Sequence, residues 1–402
     1  MIEFIRYNAR WLLACILMYF SSCFGQTFFI SLYASEIRSA FNLSHGEWGS
    51  IYALGTLLSA LAMLLLGGIV DKIHLKKITI YIFALLSILC IFMTFNYSIW
   101  LLPVIIFGLR FCGQGMLFHI PAVAIGRWFG KNKGKATSIS VIGFSIGEAT
   151  FPIIFAFIIT IAGWRISWLF AVLILIIVLP ILIKLLNKDR APKSNEEKKF
   201  DQVGLENKHW SRNEVLRHWL FWSVAIPLLV TPIFSTAFFF YQIHLIEIKK
   251  WSMVSYFAIF PFYTIASVSA LLLSGWLIDK FGVSKILPFF LIPMAIGLML
   301  FSFGDSYYIV FIGFIFLGTT QGTAMTIGGT FWPNYFGTKN LGSIRSLSTS
   351  SMVFGTALGP FIVGQILDYG ISYNFILLTM GLLAVTSSIS LFITMSKVPN
   401  LK

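Results

Sequence analysis

Arg110 and Glu148 are charges set well inside long apolar runs, where a charge needs a reason. Arg110 stands in Gly108–Gly115, GLRFCGQG, near the middle of the run from Leu101 to Ile125. A guanidinium at membrane depth costs at least ~3 kcal/mol, so it is retained where it faces a protein interior or a polar cavity. Glu148, in SVIGFSIGEATFP, lies about 13 residues beyond Lys135, roughly 20 Å from the inner end of its helix at 1.5 Å per residue. Arg110 comes out about 17 Å from the inner side of a ~30 Å hydrocarbon core. The two charges therefore share a depth. As neighbours they could form an ion pair that locks helix packing and does nothing else. Alternatively, Arg110 binds an anionic group of a substrate with the bidentate geometry that suits a carboxylate. Glu148 then takes a proton when its partner leaves, as buried acids in carriers do. The second chemistry is the favoured one. Gln114, one turn from Arg110, extends the same polar stripe, whereas His119 lies about half a revolution away and reads as an interfacial or packing histidine.

Other chemistries find little support. Cys15, Cys23, Cys90 and Cys112 lie in apolar runs without CxxC spacing and read as packing residues, so neither a disulfide framework nor a metal site is expected. The chain has no HExxH pattern, no convincing nucleophile elbow and no phosphate-cradling loop, which argues against an enzyme. No cofactor is expected. A sensor would be expected to carry a soluble output domain, and none is read here.

The elements that must position these residues are membrane helices. The sequence is 58% hydrophobic and 11% charged, against roughly 25% charged residues in ordinary soluble domains. With about 20 apolar residues needed per span, twelve can be placed, near 11–33, 48–70, 78–97, 101–125, 136–162, 166–187, 219–246, 254–278, 286–303, 307–331, 342–367 and 371–395. The net charge of +14 is spread by topology. With both termini in the cytoplasm, Arg6, Arg10, Lys72, Lys76, Lys77, Arg127, Lys131, Lys133, Lys135, the central-loop cluster, Lys280, Lys285, Lys339, Arg345, Lys397 and Lys402 fall inside. Arg38, Arg165, Lys249 and Lys250 fall outside. The positive-inside rule then sets the orientation, and the basic charge needs no nucleic-acid partner. Residues 188–218, rich in Lys, Glu, Asn and Arg, read as a cytoplasmic linker between an N-terminal six-helix bundle (1–187) and a C-terminal one (219–402).

The two halves repeat. Gly67, Asp71 and Lys72 in GGIVDKIHLKK return as Gly275, Asp279 and Lys280 in GWLIDKFGVSK, and Gly134, Ser138, Gly147 and Pro152 return as Gly342, Ser346, Gly355 and Pro360. Parallel six-helix repeats are an architecture of alternating-access carriers. On the loop pattern G-x-x-x-D-K after the second and eighth spans, the Arg and Gln-Gly of the fourth and the twelve-span count, the chain resembles the major facilitator superfamily over essentially its whole length. The resemblance implies an all-α membrane protein of two six-helix bundles related by pseudo-two-fold symmetry around a central cavity. It implies that the two loops act as a cytoplasmic gating motif, each Asp near a helix amino terminus. The first copy departs from the family pattern at His74 and Leu75, where Gly and a basic residue are usual; the second keeps Gly282.

In that family the first and seventh helices line the cavity, which makes Gln26 in FGQTFFISLY and His244 in TAFFFYQIHL expected substrate-binding groups with Arg110 and Gln114. Tyr52, Tyr256 and Tyr263 are weaker ones. A Gly-Pro pattern in the fifth helix goes with proton-exchanging exporters; Glu148 stands in this chain's fifth helix and Gly359-Pro360 in its eleventh, which weighs against a drug exporter. The resulting expectation is a secondary active transporter of a bacterial inner membrane, working by alternating access. It would couple protons to transport of a small organic anion of monocarboxylate type, with Glu148 as the proton-coupling residue. The alternative is a proton-coupled exporter or antiporter of amphipathic compounds. Expected partners are the small-molecule substrate, protons and the lipid bilayer, with the chain a monomer.

Overall fold

The structure, a computed structural model, describes residues 2–66, 69–129, 133–188, 203–337 and 340–398. Among the described residues eleven helices are long and apolar enough to cross a membrane, and a pair bent by 47° supplies a twelfth span. In chain order they are α1 (Glu3–Gly25 with Thr27–Phe41), α2 (His45–Leu66), α3 (Leu75–Phe95), α4 (Ile99–Ile125), α5 (Ala136–Ala162), α6 (Trp164–Leu185), α7 (Trp219–Phe240), α8 (Met253–Ile278), α9 (Val283–Phe303), α10 (Tyr307–Phe336), α11 (Ser351–Asp368) and α12 (Tyr373–Ser396). Helices are what this composition permits, because lipid offers a backbone no hydrogen bonds and a helix satisfies its own. The chain divides into two compact units, residues 1–197 and 198–402.

In the first unit α1 packs on α5, α2 on α4 and α3 on α6; in the second, α7 packs on α11, α8 on α10 and α9 on α12. Each pair of the first unit thus recurs in the second, as the sequence repeat requires. With no water to expel between helices in lipid, close van der Waals packing and hydrogen bonds hold such pairs together. The glycines show where. A Cβ on Gly147 of α5 would stand 2.6 Å from the Cys23 sulfur, and one on Gly143 would strike the carbonyl of Ile16. On α11, Gly355, the counterpart of Gly147, faces Pro232 and Ile233 of α7, and a Cβ on Gly359 would strike the carbonyl of Ile233.

Aromatic rings form a cluster within the first unit's interior, among buried aliphatic side chains. Phe24 stacks on Phe151 with ring centroids 4.8 Å apart, Phe29 meets Phe155 edge-on at 4.8 Å, and Tyr33 stacks on Trp168 at 4.6 Å. Such pairs contribute about 0.5–1.5 kcal/mol each beyond burial. Tyr33 also accepts a hydrogen bond from Ser167 at 3.1 Å, so it fastens α1 to α6. Near the start of α1 Arg10 donates to the carbonyls of Leu185 (2.6 Å) and Lys184 (2.7 Å), satisfying acceptors that a helix C-terminus leaves open.

The described part of the segment between the sixth and seventh spans, 203–218, is fastened to the second unit. Trp210 donates its backbone N–H to Phe336 O at 3.1 Å and its indole N–H to Leu205 O at 3.1 Å, and Asn340 donates to Trp210 O at 3.0 Å. A short helix, Arg212–Arg217, begins with a capping box between Ser211 and Glu214. These hydrogen bonds hold the Glu214 carboxyl below the usual carboxylate range. His218 caps α7, its Nδ1 accepting from Leu220 N–H at 3.2 Å.

Candidate functional site

The site is built where α1 breaks. Gln26 is extended (φ −85°, ψ 154°) between the turn Cys23–Gly25 and the helix restarting at Thr27. Its own N–H donates to Cys23 O, and its carbonyl accepts from Phe29 and Ile30. Phe29 N–H, the helical partner Gly25 O would otherwise have, is thereby taken, and Gly25 O is released for another donor. The break coincides with a close approach of α4. A Cβ on Gly113 would lie 2.5 Å from Gly25 Cα, and one on Gly25 would lie 2.7 Å from Gly113 Cα and 2.9 Å from Gln114 N. Bare backbone meets bare backbone there.

On α4 the residues Arg110–Met116 wind as a π-helical turn, a feature frequent at functional sites. Arg110 opens that turn and is completely buried. Its Nη1 donates to Gly25 O at 3.1 Å and to Thr27 Oγ1 at 3.2 Å. Thr27 Oγ1 in turn shares a 2.7 Å hydrogen bond with the Tyr52 hydroxyl, and the guanidinium carbon lies over the Tyr52 ring, 5.2 Å from its centroid. Arg110 Nε and Nη2 are buried with no hydrogen-bond acceptor among the described residues. A buried donor left unmatched costs about 1–3 kcal/mol, and more when it carries charge.

None of these contacts of Arg110 is with a carboxylate. Glu148 is buried on α5 at 8% exposure, next to Gly147, the residue seated on Cys23. The Cys23 thiol is within electrostatic reach of Glu148 and donates to Phe144 O at 3.6 Å. Arg110 from α4 thus contacts Gly25 of the turn Cys23–Gly25, and Gly147 from α5, the neighbour of Glu148, is seated on Cys23 of the same turn. Gln26 and Gln114 are both half-buried beside the Gly25–Gly113 contact.

His244 belongs to the second unit. It is half-buried on the helix Gln242–Lys249 that follows α7, with Nδ1 3.9 Å from the Glu247 carboxylate and its ring 5.7 Å from that of Tyr373. Nearby, Tyr241 donates to Pro360 O at 2.8 Å. Of the loop residues, Gly67 and the side chains of Asp71, Lys72 and Asp279 lie outside the described residues. A Cβ on Gly275 would meet Thr326 Cγ2 at 4.0 Å and nothing nearer, and Lys280 Nζ lies over the rings of Trp276 (5.0 Å) and Phe281 (5.2 Å). The departure of the first loop from its repeat has a local cause. Gly282 caps the helix Phe260–Phe281, which continues α8 beyond Ile278, with φ 85°, a conformation glycine adopts freely. His74, at the corresponding place, keeps φ −56° and caps α3 with its ring, accepting from Lys76 N–H at 3.3 Å.

Sequence reasoning passed over Thr27, Gly25 and Gly113 and gave Tyr52 little weight. The available signal was the triplet Gly25-Gln26-Thr27, polar and flexible in the midst of an aromatic helix.

Comparison with known proteins agrees with this architecture. The sequence profile described as Major Facilitator Superfamily matches residues 15–272 and 258–401. No curated protein matches. Among solved structures, the nucleoside transporter NupG is similar with a TM-score of 0.74 at 14% identity, covering 97% of this chain and 100% of that one. A bacterial homolog of the human lysosomal transporter Spinster, in an inward-facing and occupied conformation, is similar with a TM-score of 0.71 at 16% identity, covering 97% and 96%. Identities this low relate the folds alone.

Proposed function

The chain belongs to the major facilitator superfamily, and on that premise we propose that this membrane transporter carries a small organic anion together with a proton, by alternating access. The observation that carries the reading is the fully buried Arg110 with two donors lacking acceptors. A charge kept in that state is stabilised by an anion that enters, and a bidentate partner returns the most. Glu148, buried beside the same turn of α1, is the group we assign to the proton. Substrate at Arg110 and a proton at Glu148 would both act on Cys23–Gly25, which gives the coupling a physical route. Gln26 and Gln114 serve as neutral hydrogen-bonding groups around the anion, and His244 is kept as a further substrate-binding residue. The distribution of Lys and Arg supports both termini in the cytoplasm, and we take the chain to act as a monomer in a bacterial cell membrane.

The test is a substrate screen in proteoliposomes, recording charge movement and internal pH together, over small mono- and dicarboxylates, amino acids, sulfonates, nucleosides and lipophilic cations. Nucleosides join the screen because a nucleoside transporter shares the fold. Recording both signals catches an electroneutral symport of one proton with one anion. The expected result is a response to small anions that is lost in Arg110→Ala. Responses confined to lipophilic cations would instead establish the exporter of amphipathic compounds.

A further inference from the structure

An arginine side chain has five N–H donors in one plane, and the structure divides them. Nη1 has two acceptors, Gly25 O and Thr27 Oγ1, for its two N–H groups. The end-on edge, which pairs Nη1 with Nη2, is therefore already half used. The side-on edge is intact: Nε–H and the adjacent N–H of Nη2 run parallel on the side of the guanidinium away from Cδ, and both nitrogens are buried without an acceptor. Thr27 is itself held, through its 2.7 Å hydrogen bond to Tyr52, and the Tyr52 ring lies under the guanidinium at 5.2 Å. The rotation of Arg110 is thus set from α1 on one side and α2 on the other.

We propose that Thr27 and Tyr52 are positioning residues that turn Arg110 to offer its Nε–Nη2 edge alone, so that the site selects one planar carboxylate over tetrahedral anions of similar size. This rests on the anion-carrier reading above and narrows it. Two parallel N–H groups match the two in-plane oxygens of a carboxylate. A sulfonate or phosphonate can present two oxygens to the same edge, but a third then stands out of the plane. On one side it meets the face of the Tyr52 ring, which is the negative side of the ring quadrupole. On the other it must give up water in a buried site, and a desolvated charged oxygen without a donor is costly. A second carboxylate on the same molecule would find Nη1 already engaged and only the outer N–H of Nη2 left on the end-on edge, too little for a second bidentate pair.

The experiment is calorimetric titration of the purified full-length protein with a series of short straight-chain monocarboxylates, the matched alkanesulfonates and alkanephosphonates, and lipophilic cations. It is repeated on Thr27→Val, Thr27→Ser and Tyr52→Phe. Wild type is expected to bind the best monocarboxylate at least about tenfold more tightly than its matched sulfonate, the factor that one charge-assisted hydrogen bond supplies. Thr27→Val, which frees one N–H of Nη1 while the bond to Gly25 O remains, should bring that ratio close to one, and Thr27→Ser, which keeps the hydroxyl, should restore it. A merely structural threonine would lower all affinities together and leave the ratio where it was. Equal wild-type affinity for carboxylates and sulfonates would overturn the proposal and leave the anion carrier standing. Binding of lipophilic cations with no anion bound would overturn both. If Thr27→Val fails to fold, the wild-type ratio and its fall in Tyr52→Phe decide the matter, and an unchanged ratio in Tyr52→Phe counts against Tyr52 as a positioning residue.

Discussion

Replacing Glu148 by Gln preserves the size of the side chain and its capacity to hydrogen-bond while abolishing its titration, which isolates the proton from the packing. Glu148 is buried at the α1–α5 contact, so Glu148→Ala would confound the two. In Glu148→Gln we expect substrate exchange between the two faces of a proteoliposome to persist while accumulation driven by an imposed pH gradient disappears. Retained accumulation would make Glu148 structural and place the proton elsewhere. Arg110 is subject to a finer substitution as well. Lysine keeps the charge and loses the planar fork, so Arg110→Lys is expected to raise the apparent KM for the anion by about tenfold or more, in step with losing one charge-assisted hydrogen bond. Initial-rate uptake in proteoliposomes reads this directly. An unchanged KM would mean that charge, and not geometry, is what the site uses.

At the scale of elements, the same glycine-to-alanine change should act in opposite directions at two places. On Gly113 the new methyl meets Gly25 backbone at 2.5 Å, so α1 and α4 must part and Arg110 loses its register with Gly25 O. Overpacking of this kind costs about 1–3 kcal/mol, and we expect Gly113→Ala to lower the midpoint of thermal unfolding in detergent and to abolish transport. On Gly328 of α10 the methyl meets nothing within 4 Å, and the better helix propensity of alanine, up to about 1 kcal/mol, should leave stability equal or raised. A fall at both positions would show that the contact at Gly113 is not what matters. The cap of α7 gives a pH effect. Partial burial lowers the pKa of His218, so the folded chain holds the neutral ring more strongly than the unfolded chain does. Its contribution is present above the unfolded value, near 6.5, and is lost as pH falls through the folded value. Protonation also removes the acceptor for Leu220 N–H at the positive end of a helix. Thermal stability should therefore fall below about pH 6.5 and fall less in His218→Asn, a side chain that still caps.

The whole molecule offers its orientation as a measurable property. All four cysteines are buried, so the native background toward a membrane-impermeant thiol reagent is low. Ser98, between α3 and α4, and Ser396, at the end of α12, are exposed and stand at opposite ends of their spans by the proposed topology. Ser98→Cys is expected to react in intact cells, and Ser396→Cys only after the membrane is permeabilised. The reverse pattern would invert the topology read from the Lys and Arg distribution. The repeat belongs to this scale too. The pairing α1–α5, α2–α4 and α3–α6 recurs as α7–α11, α8–α10 and α9–α12, and the echoed glycines Gly147 and Gly355 mark the same helix-to-helix contact in each unit.

Much of this was legible in the residues themselves. Span-length apolar runs, the asymmetry of Lys and Arg and the recurring G-x-x-x-D-K loops are local properties, and in lipid a local property decides secondary structure because the backbone must satisfy itself. Arg110 and Glu148 could be singled out for the same reason, since a buried charge is conspicuous by cost alone. What surrounds them could not. The carbonyl that Arg110 grips lies 85 residues away in the chain and is free because α1 breaks at Gln26. The roles of Thr27 and Tyr52, and the division of the guanidinium into used and unused edges, follow from that contact between distant segments. Residue type singled out Arg110 as a candidate; the meeting of bare backbone at Gly25 and Gly113 decided which of its donors are already engaged.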